Sequence, residues 1–482
     1  MAITNNLKKL IHRKSPEYLA PLALNTAAGT TLVGDKRNLN PNSVIYAIIN
    51  STSVHRYDGD EDSWLQLPVT GAAGAGGAGS CADYRGLSAM GGIFTQQATA
   101  GGVATITTNR TIVRNLSGRR IRVIGGLGLG FDGTIFSNTI GANSVITTSG
   151  STTFDNTTQY QIFAGSLWYQ NAGTAGGFVV YDAATNVWTS RAVTGAASWG
   201  TDGYLVATPG GAENFLTSTV TSAASTTLTD TTKAWLTNQW ANHQVRISAG
   251  TGVGQIRTIS SNTGTVLTVS SAWTVNPDAT STYIIEGNDD YFYLLGNNAV
   301  TLYRYSVSAN TWTTLTPTAA RAGAPGAGMS GSWVSSVPTW ALNSNGSPNA
   351  LTVGSTVYKQ NGRYILSFRG NATNTLDLYD ISANTWISGV DYGNRNETFT
   401  LGTNSVDYKG DVFIMKEATQ RVLKFSIDDW AMKSFTYNPI PQGTAVVGQK
   451  LAILPYVDGA DELVFLYGAS HTRTDFIRNL II

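Results

Sequence analysis

One spacing constrains this chain more than any other: a tyrosine followed seven residues later by a tryptophan, four times over. The pairs are Tyr57 and Trp64, Tyr181 and Trp188, Tyr305 and Trp312, and Tyr379 and Trp386. The residues between them are turn formers: DGDEDS, DAATNV, SVSANT and DISANT. Apolar residues alternate before the tyrosine, as Leu376 and Leu378 flank Asp377. Alternation followed by a polar cluster and a second apolar run reads as strand, turn, strand. A further strand precedes each tyrosine strand, as in Tyr291 to Gly296 and Tyr364 to Gly370. Weaker units run from Asp411 to Met415 and Leu423 to Phe425, ending at Trp430, and from Leu451 to Leu454 with Leu463 to Tyr467. A small sheet of this kind cannot bury both faces alone, so neighbours must stack and close on themselves. Four clear units and two degenerate ones predict an all-β ring of about six, closed by pairing Val44–Ile48 with strands near the C-terminus.

The order of strand, glycine or asparagine turn, tyrosine strand, fixed loop and tryptophan resembles the kelch repeat, which implies a β-propeller. The paired glycine of that repeat is mostly missing; Gly176-Gly177 sits close to the tyrosine strand. Tyr57, Trp64, Tyr181, Trp188, Tyr305, Trp312, Tyr379, Trp386 and Trp430 are expected to be structural blade anchors, because every blade needs the same packing. A carbohydrate-stacking role suits non-repeating aromatics such as Trp168, Trp333 and Trp340 better. The tracts 71–80 and 322–332 are rich in Gly, Ala and Ser and are expected to form inner strands beside a narrow channel.

The spacing between units carries a second message. Trp64 and Trp188 lie 124 residues apart, as do Trp188 and Trp312, whereas Trp312 and Trp386 are 74 apart. A kelch blade takes about 45–50 residues, so two units each carry roughly 70 extra. The extras are copies of one another. GRRIRVIGGLGLGFDGTIFSNT at 118–139 aligns with NHQVRISAGTGVGQIRTISSNT at 242–263, matching Arg122 to Arg246 and Gly126, Gly128 and Gly130 to Gly250, Gly252 and Gly254. With one residue deleted, Asp155 and Tyr160 match Asp278 and Tyr283, and VTGAA recurs at 69–73 and 193–197. A blade and its insert are duplicated together, with the insert in the first loop of the blade. The expected divisions are an N-terminal arm 1–40, propeller 41–94, β-domain 95–164, propeller 165–216, β-domain 217–287 and propeller 288–482.

The insert resembles a small β-domain of tailed-bacteriophage virion proteins. The residues that carry this are Leu228 to Trp235, Val245-Arg-Ile247, Gly250 to Gln255, Ser261 to Gly264 and Pro277 to Tyr283. The first copy lacks the Lys-Ala-Trp and has Phe131 where the second has Gln255. The opening MAITNNLKKLIHRK also looks like an attachment arm of such proteins.

Charged residues make up 13% of the chain, with 31 Lys and Arg against 30 Asp and Glu. That balance gives no basic footprint for nucleic acid. No apolar run is long enough for a membrane span or a cleaved signal peptide. Cys81 is the only cysteine, so no intrachain disulfide or thiolate metal cluster is expected. Gly250-Thr-Gly-Val-Gly254 is similar in spacing to a dinucleotide fingerprint, but the alternating Gln255 to Ile259 after it reads as a strand, so a glycine-rich hairpin is expected. Asp58-Gly-Asp-Glu-Asp62 lacks the later bidentate Glu of a calcium loop and reads as a solvated turn. His12, His55, His243 and His471 are dispersed, which argues against zinc. No catalytic residue, cofactor site or metal site is assigned.

The resemblance and the missing catalytic cluster together imply a non-enzymatic structural protein of a tailed-phage virion. It would be made in the host cytoplasm, present in several symmetric copies, and joined to other virion proteins through residues 1–40. The alternative is a receptor- or glycan-binding adhesin module, with the inserts as recognition lobes for a host surface glycan.

Overall fold

Runs such as Val44–Ile49, Phe178–Asp182 and Tyr291–Leu295 combine aromatic residues with β-branched residues or leucine and have no proline, a composition suited to a pleated, half-buried surface. In the structure, a computed structural model, they form antiparallel strands, and among the described residues no helix forms. The residues described are 31–34, 44–49, 53–58, 63–67, 81–85, 95–109, 112, 116–117, 119–162, 166–170, 177–182, 187–192, 203–207, 214–288, 291–296, 300–307, 309–323, 330–334, 350–353, 356–359, 364–370, 372–381, 384–390, 397–399, 404–408, 411–415, 421–426, 431–436, 450–454, 462–466 and 474–477.

Two kinds of sheet alternate along the chain. The small sheets come first. They are Thr31–Gly34, Val44–Ile49, Ser53–Asp58 and Ser63–Gln66; Cys81–Arg85, Ser166–Gln170, Phe178–Asp182 and Val187–Arg191; and Tyr204–Ala207, Tyr291–Leu295, Leu302–Ser306 and Thr311–Leu315. A fourth has Ser330–Val334, Tyr364–Phe368, Leu376–Asp380 and Thr385–Val390, and a fifth has Asn404–Tyr408, Asp411–Met415, Arg421–Ser426 and Ala431–Thr436. The last has three described strands, Lys450–Leu454, Glu462–Leu466 and Thr474–Ile477. The leading strand of each sheet touches the leading strand of the next, and the last touches the first, so the arrangement is propeller-like. A cavity of ≈ 50 Å³ lies among these strands, with Thr31, Cys81, Tyr204, Asn404 and Leu451 on its walls.

Closure differs from the sequence expectation. Among the described residues, Val44–Ile49 pairs with Thr31–Gly34 and Ser53–Asp58 and not with a C-terminal strand. The first and last sheets meet instead side by side, through Thr31–Gly34 and Lys450–Leu454. The contact is close enough that a Cβ on Gly34 would lie 2.1 Å from the Ile453 carbonyl oxygen, so only glycine fits there. The strand Thr31–Gly34 also falls inside the expected arm 1–40; four residues are too short a run to stand out by periodicity. Cys81 opens the strand Cys81–Arg85. Tract 71–80 lies outside the described residues, and Ser330–Val334 begins within tract 322–332.

Two seven-stranded lobes complete the chain. The first uses Thr95–Gln97, Ala100–Gly102, Thr105–Thr107, Arg120–Gly125, Asp132–Asn138, Val145–Thr148 and Gln159–Ile162. The second uses Asn214–Thr219, Ser222–Ala224, Thr227–Thr229, Gln244–Ala249, Ile256–Asn262, Val266–Val269 and Thr282–Glu286. Their spatial strand orders are identical: first, seventh, fourth, fifth, sixth, third, second. Each lobe falls between the first and second strands of a small sheet, the second and third sheets respectively. A short hairpin, Ala350–Val353 with Thr356–Lys359, takes the same place in the fourth. The second lobe starts at Asn214, three residues before the expected boundary. In each lobe the incoming strand pairs with the outgoing one, so the two ends leave side by side.

Candidate functional site

The four described tyrosine–tryptophan pairs repeat one geometry. In each, Tyr and Trp are direct cross-strand partners. Their ring centroids lie 5.3, 5.3, 5.1 and 5.3 Å apart, with interplanar angles of 47°, 50°, 51° and 51°. Three pairs also reach an aromatic of the preceding sheet: Tyr181 meets Tyr46, Trp312 meets Phe178, and Tyr379 meets Tyr293. Tyr57, Tyr181, Tyr305, Tyr379, Trp188, Trp312 and Trp386 are all buried, and Trp64 is half-buried. Trp430 lies outside the described residues. These seven rings are buried, and three of the pairs spend part of their surface on the seams between sheets. Such aromatic contacts add about 0.5–1.5 kcal/mol beyond area burial.

An asparagine two residues before the tryptophan completes the seam. Asn310 and Asn384 adopt φ of 53° and 48°, the left-handed turn conformation that Asn tolerates. Each Oδ1 accepts the tyrosine hydroxyl at 2.6 Å, from Tyr305 and Tyr379. Each also crosses to the preceding sheet: Asn310 Oδ1 accepts the Ala192 N–H at 3.0 Å, and Asn384 Nδ2 donates to the Thr316 carbonyl at 3.0 Å. The shared Ser-Ala-Asn-Thr was visible in the sequence; the role of its asparagine was not.

The polar chemistry with most scope lies between the two lobes. Glu286, fully buried, accepts two hydrogen bonds from Arg122, at 2.9 and 3.3 Å, and one from Arg246 Nε at 2.8 Å. Asp132 receives Arg120 Nε at 2.6 Å, and its Oδ2 lies 3.4 Å from Arg122 and 3.5 Å from Arg246. Arg122 and Arg246 are equivalent residues of the duplication, whereas Asp132 and Glu286 are not. Two like charges facing across a pseudo-symmetric seam are neutralised by one acid from each copy, placed at different positions. Burial pulls the Arg122 guanidinium below its ordinary value, against Glu286. Burial would raise the Asp132 carboxyl, but Arg120, Arg122 and Arg246 hold it below the usual carboxylate range.

The glycine loops meet at the same seam. Gly126, Gly128 and Gly130 have φ of 71°, 85° and 91°, and Gly250, Gly252 and Gly254 have 76°, 79° and 86°. A Cβ on Gly254 would lie 2.4 Å from Leu129, and one on Gly130 would lie 3.0 Å from Val253. Each loop joins two strands, so no phosphate-binding helix end is present there. Behind each loop an aspartate turn recurs: Asp155 Oδ1 accepts from Thr157 N–H and Oγ1, and Asp278 Oδ1 from Thr280 N–H and Oγ1. These bonds hold both carboxyls below the ordinary value.

A cleft of ≈ 600 Å³ opens between the lobes, with Arg122 and Ile124 on one side and Gln244, Gly252 and Arg257 on the other. Among the described residues no three of His, Cys, Asp or Glu converge as a metal site. His55 lies in a strand of the first small sheet and His243 just before the strand Gln244–Ala249 of the second lobe, and no described helix is long and apolar enough to cross a membrane. Of the non-repeating aromatics, the side chains of Trp168, Trp333 and Trp340 lie outside the described residues.

No family model and no curated protein matches this chain. Among solved structures, it is similar to a chain from a crystal structure of the mitotic checkpoint complex, at 10% identity and a TM-score of 0.33, covering 97% of this chain and 95% of that one. It is also similar to a structure of U3-55K, at 8% identity and a TM-score of 0.35, covering 96% of this chain and 100% of that one.

Proposed function

We propose that this chain is a non-enzymatic structural protein of a tailed-bacteriophage virion: a six-bladed, kelch-like propeller carrying two inserted copies of one β-domain. The observation that carries the reading is the use of the polar groups at the seams. Glu286 and Asp132 fasten lobe to lobe, and Asn310 and Asn384 fasten sheet to sheet. Polar groups spent on joining elements suit a rigid scaffold better than a reaction centre, where a group must be left poised for substrate. The resemblance of the lobes to phage virion domains supplies the setting, and the residues before Thr31 supply a segment for attachment to other virion proteins. Several symmetric copies per particle follow from that setting.

Mass spectrometry of particles banded on a density gradient tests this. The expected result is this chain at a fixed ratio to the major capsid protein; its absence from banded particles overturns the reading. A chain lacking residues 1–27 keeps the first strand, and is expected to melt as the full chain does and to be missing from particles.

The second reading, a receptor- or glycan-binding module, is favoured by one feature, the cleft between the lobes.

A further inference from the structure

We propose that the cleft between the two lobes binds an acidic saccharide. This goes beyond the scaffold reading and rests on the paired lobes, not on residence in a particle. At ≈ 600 Å³ the cleft has the size of a small-ligand site.

Charge sets the sign of the ligand. The described walls present two guanidinium groups, Arg122 and Arg257, and no carboxylate. The acids that reach the seam, Asp132 and Glu286, are already divided among Arg120, Arg122 and Arg246. Arg257 has only neutral acceptors: the Ala272 and Ile256 carbonyls at 3.0 and 2.9 Å, Thr274 Oγ1 at 3.2 Å and Gln255 Oε1 at 3.4 Å. With Arg122 paired to Glu286, Arg257 is left on the wall as a guanidinium with no carboxylate partner among the described residues, a surplus positive charge in a partly enclosed space. Low-dielectric walls focus such a surplus and favour an anion.

The rest of the lining sets the ligand's body. Ile124, Leu129 and Val253 give aliphatic faces, while Gln244 and Thr274 give an amide and a hydroxyl between them. A sugar ring has the matching alternation, with C–H faces for aliphatic side chains and hydroxyl edges for amides. A bare phosphate would use the cations alone. Gln255 is also on the wall, with its amide held against that wall: Nε2 donates to the Val275 carbonyl at 2.7 Å and Oε1 accepts the Thr274 N–H at 2.7 Å.

Calorimetric titration of the full chain with sialyllactose and with tetragalacturonate, against neutral lactose and maltotetraose, tests the assignment. The expected result is binding of an acidic saccharide that weakens with added salt, and none of comparable strength for the neutral ones. Arg257→Gln should lower that affinity about tenfold or more. Gln244→Ala, whose side chain supports no strand, should lower it several-fold with an unchanged melting temperature, which separates loss of the site from loss of the fold. Equal binding of neutral and acidic sugars overturns the proposal, as does no binding of either acidic probe at low salt. Unchanged affinity in both variants overturns the location, and full competition by inorganic phosphate overturns the saccharide.

Discussion

The two lobes share one strand order and fill it differently. Leu116 in the first lobe and Trp240 in the second each give their backbone N–H to a matched asparagine, Asn138 at 2.6 Å and Asn262 at 2.8 Å. The side chain at that position changes from a leucine to a tryptophan flanked by Trp235 and Trp273 in the same core. Phe131 holds the first glycine loop by a T-shaped contact with Phe154 at 5.3 Å. At the equivalent place Gln255 holds the second loop by hydrogen bonds to Gly252, Thr274 and Val275. What stays constant is the backbone chemistry: three left-handed glycines, an aspartate turn and one asparagine. Turn geometry specifies this topology, and core composition drifts around it.

Substitutions can break that contrast, and the largest effect is expected in the second core. Trp240→Ala should cost about 3–5 kcal/mol, against about 2–3 for Leu116→Ala, because the larger ring leaves the larger cavity. Denaturant unfolding followed separately in each lobe checks this; equal losses would mean that the cores are interchangeable. Glu286→Gln should cost about 3–4 kcal/mol, since it leaves Arg122 and Arg246 buried with too little opposing charge. Hydrogen exchange at the glycine-loop amides should rise in both lobes together, and a rise in the second alone would show that they are not coupled.

Acid should separate the lobes next. His243 packs against Phe215 and Trp240, with ring centroids 5.1 and 5.3 Å away. Burial lowers its pKa from 6.5 to about 4. Above pH 6.5 the ring is neutral whether folded or unfolded, and costs nothing. As pH falls from 6.5 toward about 4 the unfolded chain takes up a proton that the folded chain refuses, so stability declines, by about 3 kcal/mol in all. The first lobe has Arg119 at the matching position. Melting of the second lobe should therefore fall over this window more than that of the first, and His243→Gln should flatten the difference. The smallest effect concerns the glycines. Gly254→Ala should cost about 2 kcal/mol, from the left-handed backbone and from collision with Leu129. Gly389→Ala, at φ 68° with open space around it, should cost about 1 kcal/mol. A larger loss at Gly389 would show that lobe-to-lobe contact adds nothing.

Local features of the fold were legible in the sequence because they recur. Each Tyr–Trp pair is set by a short turn, and the glycine triplet repeats at an offset of 124 residues. Long-range features were not. Glu286 reaches Arg122 across 164 residues, and no periodicity marks a single acid that pairs with a partner in another lobe. The closure at Gly34 was missed for the same reason, since it depends on one residue having no side chain beside Ile453. Asn310 and Asn384 could have been read, because both stand five residues after the tyrosine in a shared Ser-Ala-Asn-Thr. The candidate cleft could not, since its walls come from segments on both copies.

The lobes stand on neighbouring sheets, each on a stem of two paired strands, and they grip each other twice, at the arginine cluster around Glu286 and Asp132 and at the interlocked glycine loops. Two uprights on one base, joined at two points, form a closed frame. A sideways push on either lobe is then carried as tension in one stem and compression in the other, and rotation about a stem is blocked. The second and third small sheets gain a strut that bypasses their own seam, and their angle about the ring is set from outside as well as from within.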